Sequence, residues 1–208
     1  MDPAKIRLSS KEQELVVNAG FILTKNAILR KAWLLLEELQ NEQQQLLSAF
    51  SSVLPAEALK TAAKISKGEN YKGLPYLVLD QPRHFDREHV LTIRTLFWWG
   101  HFFSTTLHIS GKYKDQYGKY ILEAYDVLGE LGYSICINDD EWEHHFEYDN
   151  YREIQSMSTE IFALHACSRS FTKLAKKIPL DQWEDSPQLL CSQFHFLLQL
   201  ITDQLPSR

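Results

Sequence analysis

Two β-like segments on either side of a glycine constrain the fold of this chain most. The segments from His89 to Trp98 and from Phe102 to Ser110 are rich in Thr, Ile, Phe and Trp, and Gly100 lies between them. Strand-forming residues on both sides of a glycine turn are typical of a β-hairpin. We therefore predict an antiparallel hairpin, and with it a sheet, in the middle of the chain.

The register of this hairpin follows from its apolar pattern. If residues whose numbers add up to 200 pair, Ile93 faces Leu107 and one face of the hairpin is mostly apolar. A slip of one residue would place Arg94 opposite Leu107, and such slips are penalised where one face is buried. The preferred register leaves a three-residue turn, Trp99-Gly100-His101, whose glycine would more usually occupy the last position. We predict this register despite that turn.

The second face of the hairpin, called the mixed face below, carries the candidate binding residues. They are one guanidinium, two hydroxyls, one imidazole and two aromatic rings, from Arg94, Trp98, Phe102, Ser104, Thr106 and His108. Arginine binds carboxylate or phosphate through two hydrogen bonds, hydroxyls orient a ligand, and tryptophan covers its apolar part. The pattern therefore predicts a site for a small anionic molecule or a peptide. The commoner alternative is a solvent-exposed sheet face with Arg94 paired to an acidic neighbour.

The segments before the hairpin predict a helical part followed by a strand. Residues 1–68 carry three predicted helices; the second runs from about Lys25 to Ser52 with apolar residues at the helical period, and the third ends near Gly68. The short apolar run from Leu74 to Asp80 is typical of a strand that is buried on both faces. We expect Pro82 to end it.

The segments after the hairpin predict one helix and further strands. A helical stripe runs from about Lys114 to Leu131, and a strand follows at Tyr133 to Asn138. Apolar and polar residues alternate from Trp142 to Tyr148, which predicts a further strand. These elements complete a sheet region over residues 74–148 with one inserted helix.

The C-terminal residues, 150–208, are predicted to be a pair of helical segments. Because no Gly or Pro lies between Tyr133 and Ile178, one long helix or two consecutive helices are expected to fill Tyr151 to Ile178. The last helix has a clear start signal, with Ser186 as N-cap and Pro187 in the first turn. Near the end of the first segment, three cations form a predicted solvated face: Lys173, Lys176 and Lys177.

The order of these elements predicts an α+β fold. Strands that cluster between helices favour a central antiparallel sheet, here of four to five strands, packed by six or so helices. The alternating βαβ units of a doubly wound fold are absent. A chain of 208 residues fits one domain, 1–208, better than two.

Composition limits the cellular environments and the partners that the chain is expected to have. The net charge is -5, and an acidic chain repels phosphate backbones, so no nucleic-acid partner is predicted. Three cysteines, an odd number, argue against a disulfide framework or a zinc knuckle. No apolar run reaches the length that a bilayer requires, and the N-terminus shows no signal peptide. We therefore predict a cytoplasmic protein that has no membrane partner.

Catalytic and metal-binding patterns are sparse. The chain has eight histidines but no His-Glu-x-x-His motif, nucleophile elbow or phosphate-binding loop. No catalytic residue, metal or cofactor is predicted. Glu143, His144 and His145 are ligand types for a divalent cation and form the alternative metal site, although an acidic surface hairpin is the commoner explanation for such a stretch.

These patterns leave three functional hypotheses. The first is a non-enzymatic binding domain for a small anionic ligand or a peptide on the mixed face. The second is a self-associating scaffold, a homodimer, that uses the long helix from Lys25 to Ser52 and part of Ile154 to Ile178 as its interface. The third is a metal-dependent hydrolase that uses His108 or the segment with His144 and His145.

Overall fold

One antiparallel sheet forms the centre of the computed structural model, which describes residues 6–205. Its strands are β1 Lys64–Tyr71, β2 Leu74–Phe85, β3 Val90–Trp98, β4 Phe102–Ser110, β5 Ser134–Cys136, β6 Tyr151–Glu153 and β7 Phe171–Pro179. Their order in the sheet is β1-β2-β3-β4-β7-β5-β6. The predicted α+β class is confirmed, but the described residues hold seven strands rather than four to five.

The helices frame this sheet along the chain. They are α1 Ser10–Val17, α2 Ala19–Ala49, α3 Ala56–Lys60, α4 Lys112–Glu123, α5 Tyr125–Glu130, α6 Thr159–Ser168 and α7 Ser186–Ile201. Most of the hydrophobic core lies between α2, α4 and α7 and the apolar face of the sheet, where Ile93, Phe103 and Leu107 are fully buried. The mixed face therefore points away from this helical layer.

The hairpin register is confirmed at every paired position. Leu91 pairs with Ile109, Ile93 with Leu107, and the ladder ends at Trp98 and Phe102. The N–H of His101 donates to the carbonyl oxygen of Trp98, which closes a β-turn with Gly100 at its third position. Gly100 has a φ of 74°, and the third position of a type II turn needs such a value. The central glycine thus suits the turn.

The predicted helix over Tyr151 to Ile178 is wrong at both ends, and only α6 in its middle is an α-helix. The chain forms β6, then α6, and then β7, which pairs with β4 along its whole length and with β5 at Ala175 and Leu174. Because β7 is buried on both faces from Phe171 to Ala175, it lacks the polar and apolar alternation that marks a half-buried strand. The predicted pair of C-terminal helical segments is therefore interrupted by strands.

Two predictions around β1 and β2 are also corrected. The third helix ends at Lys60, and the chain then forms β1 instead of extending the helix to Gly68. β1 is an edge strand, and its polar residues prevent the open edge from pairing with another chain. The same polar residues remove the alternation that would have predicted a strand. β2 continues past Pro82 to Phe85 because the proline lies within a bulge, between Asp80 and Arg83, that needs no ladder hydrogen bond.

Two further predictions fail after β4. The predicted helix from Lys114 to Leu131 is divided into α4 and α5, which meet at Ala124. The predicted strand from Trp142 to Tyr148 is irregular chain. This segment crosses the mixed face of the sheet instead of joining the sheet, and it defines the geometry of the candidate site.

Candidate functional site

The mixed face is covered by a strap, which we define as residues 139–150. The strap contains neither helix nor strand, and it contacts the sheet through side chains and carbonyl oxygens. The structure brings the six predicted residues together on one face, but Trp98, Phe102, Ser104, Thr106 and His108 are all buried, with at most 7% of their surface exposed. The face is therefore neither an open cleft nor a solvated wall.

Arg94 is already paired within its own sheet. Its Nε lies 2.7 Å from Oδ1 of Asp80, and its Nη2 lies 2.9 Å from Oδ2, a bidentate pair between neighbouring strands. Its remaining Nη1 lies 3.1 Å from Nε2 of His144 in the strap. Burial, followed by the charge of Arg94, holds the pKa of His144 well below its usual value. A neutral imidazole can accept this hydrogen bond at Nε2.

His108 forms the second contact between the sheet and the strap. Its Nε2 lies 2.8 Å from Oε2 of Glu141. Burial lowers the pKa of His108, whereas the hydrogen bond from His108 lowers the pKa of Glu141. A neutral imidazole that donates Nε2–H to a carboxylate satisfies both shifts. The pair therefore links the strap to β4.

Lys173 of β7, a site residue that the sequence patterns did not indicate, lies at the centre of the covered face. It is 1% exposed, and its Nζ donates to the carbonyl oxygens of Glu141 and Glu143 at 2.8 and 2.6 Å. Burial lowers the pKa of Lys173 to about 8. The predicted helix hid this residue, because only a strand places Lys173 opposite His108 on the mixed face.

Tyr71 at the end of β1 holds the middle of the strap. Its hydroxyl accepts the backbone N–H groups of His144 and His145 at 2.8 and 3.0 Å, and donates to Oε2 of Glu143 at 2.8 Å. Phe146 adds apolar contact, because its ring centroid lies 5.1 Å from that of Phe102. One hydroxyl and one aromatic ring thus fix the strap where its backbone has no ladder hydrogen bonds.

The alternative metal site is not assembled in this arrangement. Across residues 6–205, no three side chains of His, Cys, Asp or Glu are grouped so that they could hold a metal ion. His144 faces the guanidinium of Arg94, and the Nε2 of His145 lies 3.3 Å from Oε2 of Glu143. Glu143 and His145 therefore form a pair rather than a coordination set.

A second feature with functional potential is the helical arm, which we define as residues 10–31. Every residue from 6 to 24 is exposed, and in α2 the first fully buried side chain is Ala32. The arm exposes 42 to 81% of six large apolar side chains: Leu15, Val16, Val17, Phe21, Ile22 and Leu23. The sequence signal for this surface is an uncharged stretch of ten residues, Leu15 to Thr24, that crosses the junction of two helices.

The arm also differs in charge from the remainder of the chain. It holds four cationic side chains and two acidic ones, a net charge of +2, whereas the whole chain has a net charge of -5. At the root of the arm, α2 and the hairpin of β1 and β2 enclose a cleft of about 500 Å³. Its lining combines the apolar residues Leu29, Trp33, Pro75 and Leu77 with the charged residues Arg30, Lys67 and Glu69.

Comparison of the chain with protein-family models and with curated proteins found no match. No helix in the described part of the chain has the length and apolar character needed to cross a bilayer.

Proposed function

We propose that the protein is a self-associating interaction protein whose arm docks against a second copy of the same chain. One observation carries the proposal: six large apolar side chains of the arm are 42 to 81% exposed in a single stretch. A concentration of exposed apolar residues along one segment of chain marks an interaction site, whereas singly exposed apolar residues are ordinary.

The amount of apolar surface suits a dimer. At these exposed fractions, the six side chains offer on the order of 600 Å² per copy, against about 800 Å² per partner in a standard interface. The cleft at the root of the arm supplies a receiving surface, because a two-fold arrangement would place each arm in the cleft of the other copy. Contacts made by the cleft would then add the remaining area.

Charge and geometry favour a second copy over a lipid surface. The arm is basic and the remainder of the chain is acidic, so the opposite net charges attract the arm of one copy to the body of the other. The cleft itself receives the arm through its apolar residues. A helix that lies in a membrane interface needs one apolar face, whereas the consecutive residues Leu15, Val16 and Val17 point in different directions around α1. Glu12 and Glu14 lie within a turn of them, which disfavours insertion among lipids.

Size-exclusion chromatography of matched variants tests this proposal. Leu23→Asp, at a position that is 67% exposed in the arm, is expected to give a monomer. Leu164→Asp, at a position that is 61% exposed in α6, should elute with the wild type as a dimer. Because both side chains are exposed, both variants should fold, with the circular dichroism spectrum of the wild type. Leu164→Asp should also keep the melting temperature of the wild type, whereas Leu23→Asp should lose the stabilisation that association provides.

Vesicle co-sedimentation distinguishes a membrane from a second copy as the partner of the arm. Co-sedimentation with vesicles of phosphatidylglycerol by a protein that is monomeric in solution would replace the second copy with a membrane. A monomeric wild type without vesicle binding, or a Leu23→Asp protein that remains dimeric, would overturn the proposal.

A second candidate function is binding of a small anionic molecule or a peptide at the mixed face once the strap is displaced. It is supported by the partners of Lys173, whose ammonium donates to two carbonyl oxygens of the strap and, within residues 6–205, to no carboxylate. Oxygen atoms of a ligand could take the places of these carbonyls and of the Glu141 carboxylate. Arg94, His108 and Lys173 would then bind one anion together.

Loosening the strap tests this second candidate. Phe146→Ala removes the aromatic contact with Phe102 and leaves the polar groups of the face intact. We expect glutarate to raise the melting temperature of Phe146→Ala more than that of the wild type, and Lys173→Met in the same background to abolish the effect. Equal shifts in all three proteins would remove the candidate.

A further inference from the structure

The three lysines of β7 are separated by the alternation of the strand. Lys173 and Lys177 lie on the mixed face, opposite His108 and Ser104, whereas Lys176 lies on the other face opposite Thr105. Lys173 is buried beneath the strap. Lys176 and Lys177 flank, from the two faces, a cavity of about 310 Å³ at the edge of β7, which we call the edge cavity.

The edge cavity exists because β5 is much shorter than β7. The two strands pair only at Ser134 with Ala175 and at Ile135 with Leu174. Before Ser134 the chain turns away at Gly132, which has a φ of 73°, a conformation that glycine adopts readily after a helix. From Lys176 to Pro179, β7 has no strand partner on this side within residues 6–205.

Two aromatic rings form a wall of this cavity. Phe146 and Tyr151 line it, and their rings are stacked with centroids 4.6 Å apart at an interplanar angle of 21°. Ser134 contributes a hydroxyl-bearing side chain, and Glu153 is an acidic residue of the lining. The wall gives the cavity an apolar side next to its two cations.

The two ammonium groups contact rings instead of carboxylates. Nζ of Lys177 lies 5.6 Å from the centroid of Phe146, and Nζ of Lys176 lies 5.8 Å from that of Tyr133. Partial burial lowers the pKa of Lys176. Across residues 6–205, the lysines that form ion pairs are others, namely Lys25, Lys72 and Lys112. The edge cavity therefore holds two cations without an anionic partner at contact distance.

We propose that the edge cavity binds a small phosphate monoester with an aromatic or apolar body. Lys176 and Lys177 both line the cavity, one from each face of β7. Two positive charges match a dianion better than a carboxylate, which carries a single charge. The hydroxyl of Ser134 can donate to a phosphate oxygen, and the rings of Phe146 and Tyr151 can pack against the body of the ligand. A volume of about 310 Å³ lies at the small end of ligand sites.

This site is independent of the arm, and it shares one lining residue, Phe146, with the strap. Its opening faces the edge of the sheet, and no side chain of the arm lines it. Ligand entry requires no displacement of the Glu141 and Glu143 carbonyls from Lys173. A failure of self-association would leave the proposal for the edge cavity unaffected. A failure of phosphate binding at the edge cavity would likewise leave the proposed dimer unaffected.

Calorimetric titration with phenyl phosphate at low ionic strength tests the proposal. The wild type is expected to bind phenyl phosphate, and Lys177→Met is expected to weaken that binding about tenfold, because a charge-assisted contact is lost. Lys64→Met, at an exposed position of β1, is the matched control and should bind as the wild type does. Lys177 is also exposed, so the variant should fold, and its circular dichroism should match that of the wild type.

Three further ligands define what the edge cavity recognises. Inorganic phosphate should bind several-fold more weakly than phenyl phosphate, because it does not contact the aromatic wall. Benzoate should bind more weakly because it has one charge, and benzyl alcohol should not bind. Equal affinity of Lys177→Met and Lys64→Met for phenyl phosphate, or no heat of binding up to about 10 mM, would overturn the proposal. Inorganic phosphate that binds as tightly as phenyl phosphate would also contradict it.

Discussion

Lys173 shows how one residue can stabilise a segment that lacks regular structure. Its ammonium is buried and donates to two backbone carbonyls of the strap, so removal of the side chain would leave both acceptors unpaired beneath the strap. A buried acceptor without a partner costs about 1 to 3 kcal/mol. The same burial penalises the charged form, which links the stability of the fold to pH through this residue.

The pH dependence of this residue has a definite sign. The pKa of Lys173 is about 8 in the folded chain, against an ordinary value of 10.5, so between these values the unfolded chain binds more protons. The free energy of unfolding should therefore rise with pH, by up to about 1.4 kcal/mol per unit, relative to Lys173→Met. This contribution is lost as the pH falls toward 8. Urea denaturation of both proteins at pH 7, 8, 9 and 10 checks it, and parallel profiles would contradict it.

Residue identity alone predicted part of the candidate site. The period of two in the hairpin was sufficient to place Arg94, Ser104, Thr106 and His108 on one face, because a slip would have mixed apolar and charged side chains. It could not indicate that Asp80 would pair with the guanidinium of Arg94, or that Glu141 would accept a hydrogen bond from the imidazole of His108. Those partners come from β2 and from an irregular segment whose position depends on tertiary contacts.

At the scale of elements, the strap determines whether the mixed face is covered or exposed to solvent. It is held by Tyr71, the pair of His108 and Glu141, and Lys173, and it replaces the layer of helices or water that such a face usually has. Its polar anchors are directional, so each of them specifies a position along the strap. We expect the strap to be ordered as long as these anchors are intact.

Removal of the Tyr71 hydroxyl tests the anchoring of the strap. Tyr71→Phe leaves the N–H groups of His144 and His145 without their acceptor, which should lower the free energy of unfolding by about 1 to 3 kcal/mol. The amide hydrogens of both histidines should exchange faster. Tyr148→Phe, at a strap position that is 89% exposed, is the control and should change neither quantity. Unchanged exchange in Tyr71→Phe would show that this hydroxyl does not hold the strap.

The elements that sequence patterns missed share a physical cause. β7 lies between two strands and is buried on both faces from Phe171 to Ala175, whereas β1 lies at the edge and is polar. Neither position produces the alternation that identifies a half-buried strand. The hairpin has that alternation because one of its faces packs on helices and the other carries polar groups, and it was predicted correctly down to its register.

At the scale of the whole molecule, buried and exposed apolar surface are segregated. The sheet and the helices packed on it enclose the two large clusters of buried apolar residues, whereas the arm extends beyond them with its apolar side chains in solvent. Hydrophobic patterning predicted the helices of this region, yet it could not show which of their residues lack a packing partner. That distinction depends on where the sheet ends relative to α2.

The mass of the protein in solution, measured by light scattering over a range of concentrations, tests self-association most directly. We predict a weight-average mass that rises from 24.3 kDa toward twice that value as the concentration increases. The mass should stop at the dimer, since a two-fold interface is closed. A mass that stays at 24.3 kDa at every concentration, with the arm intact, would contradict the proposed function.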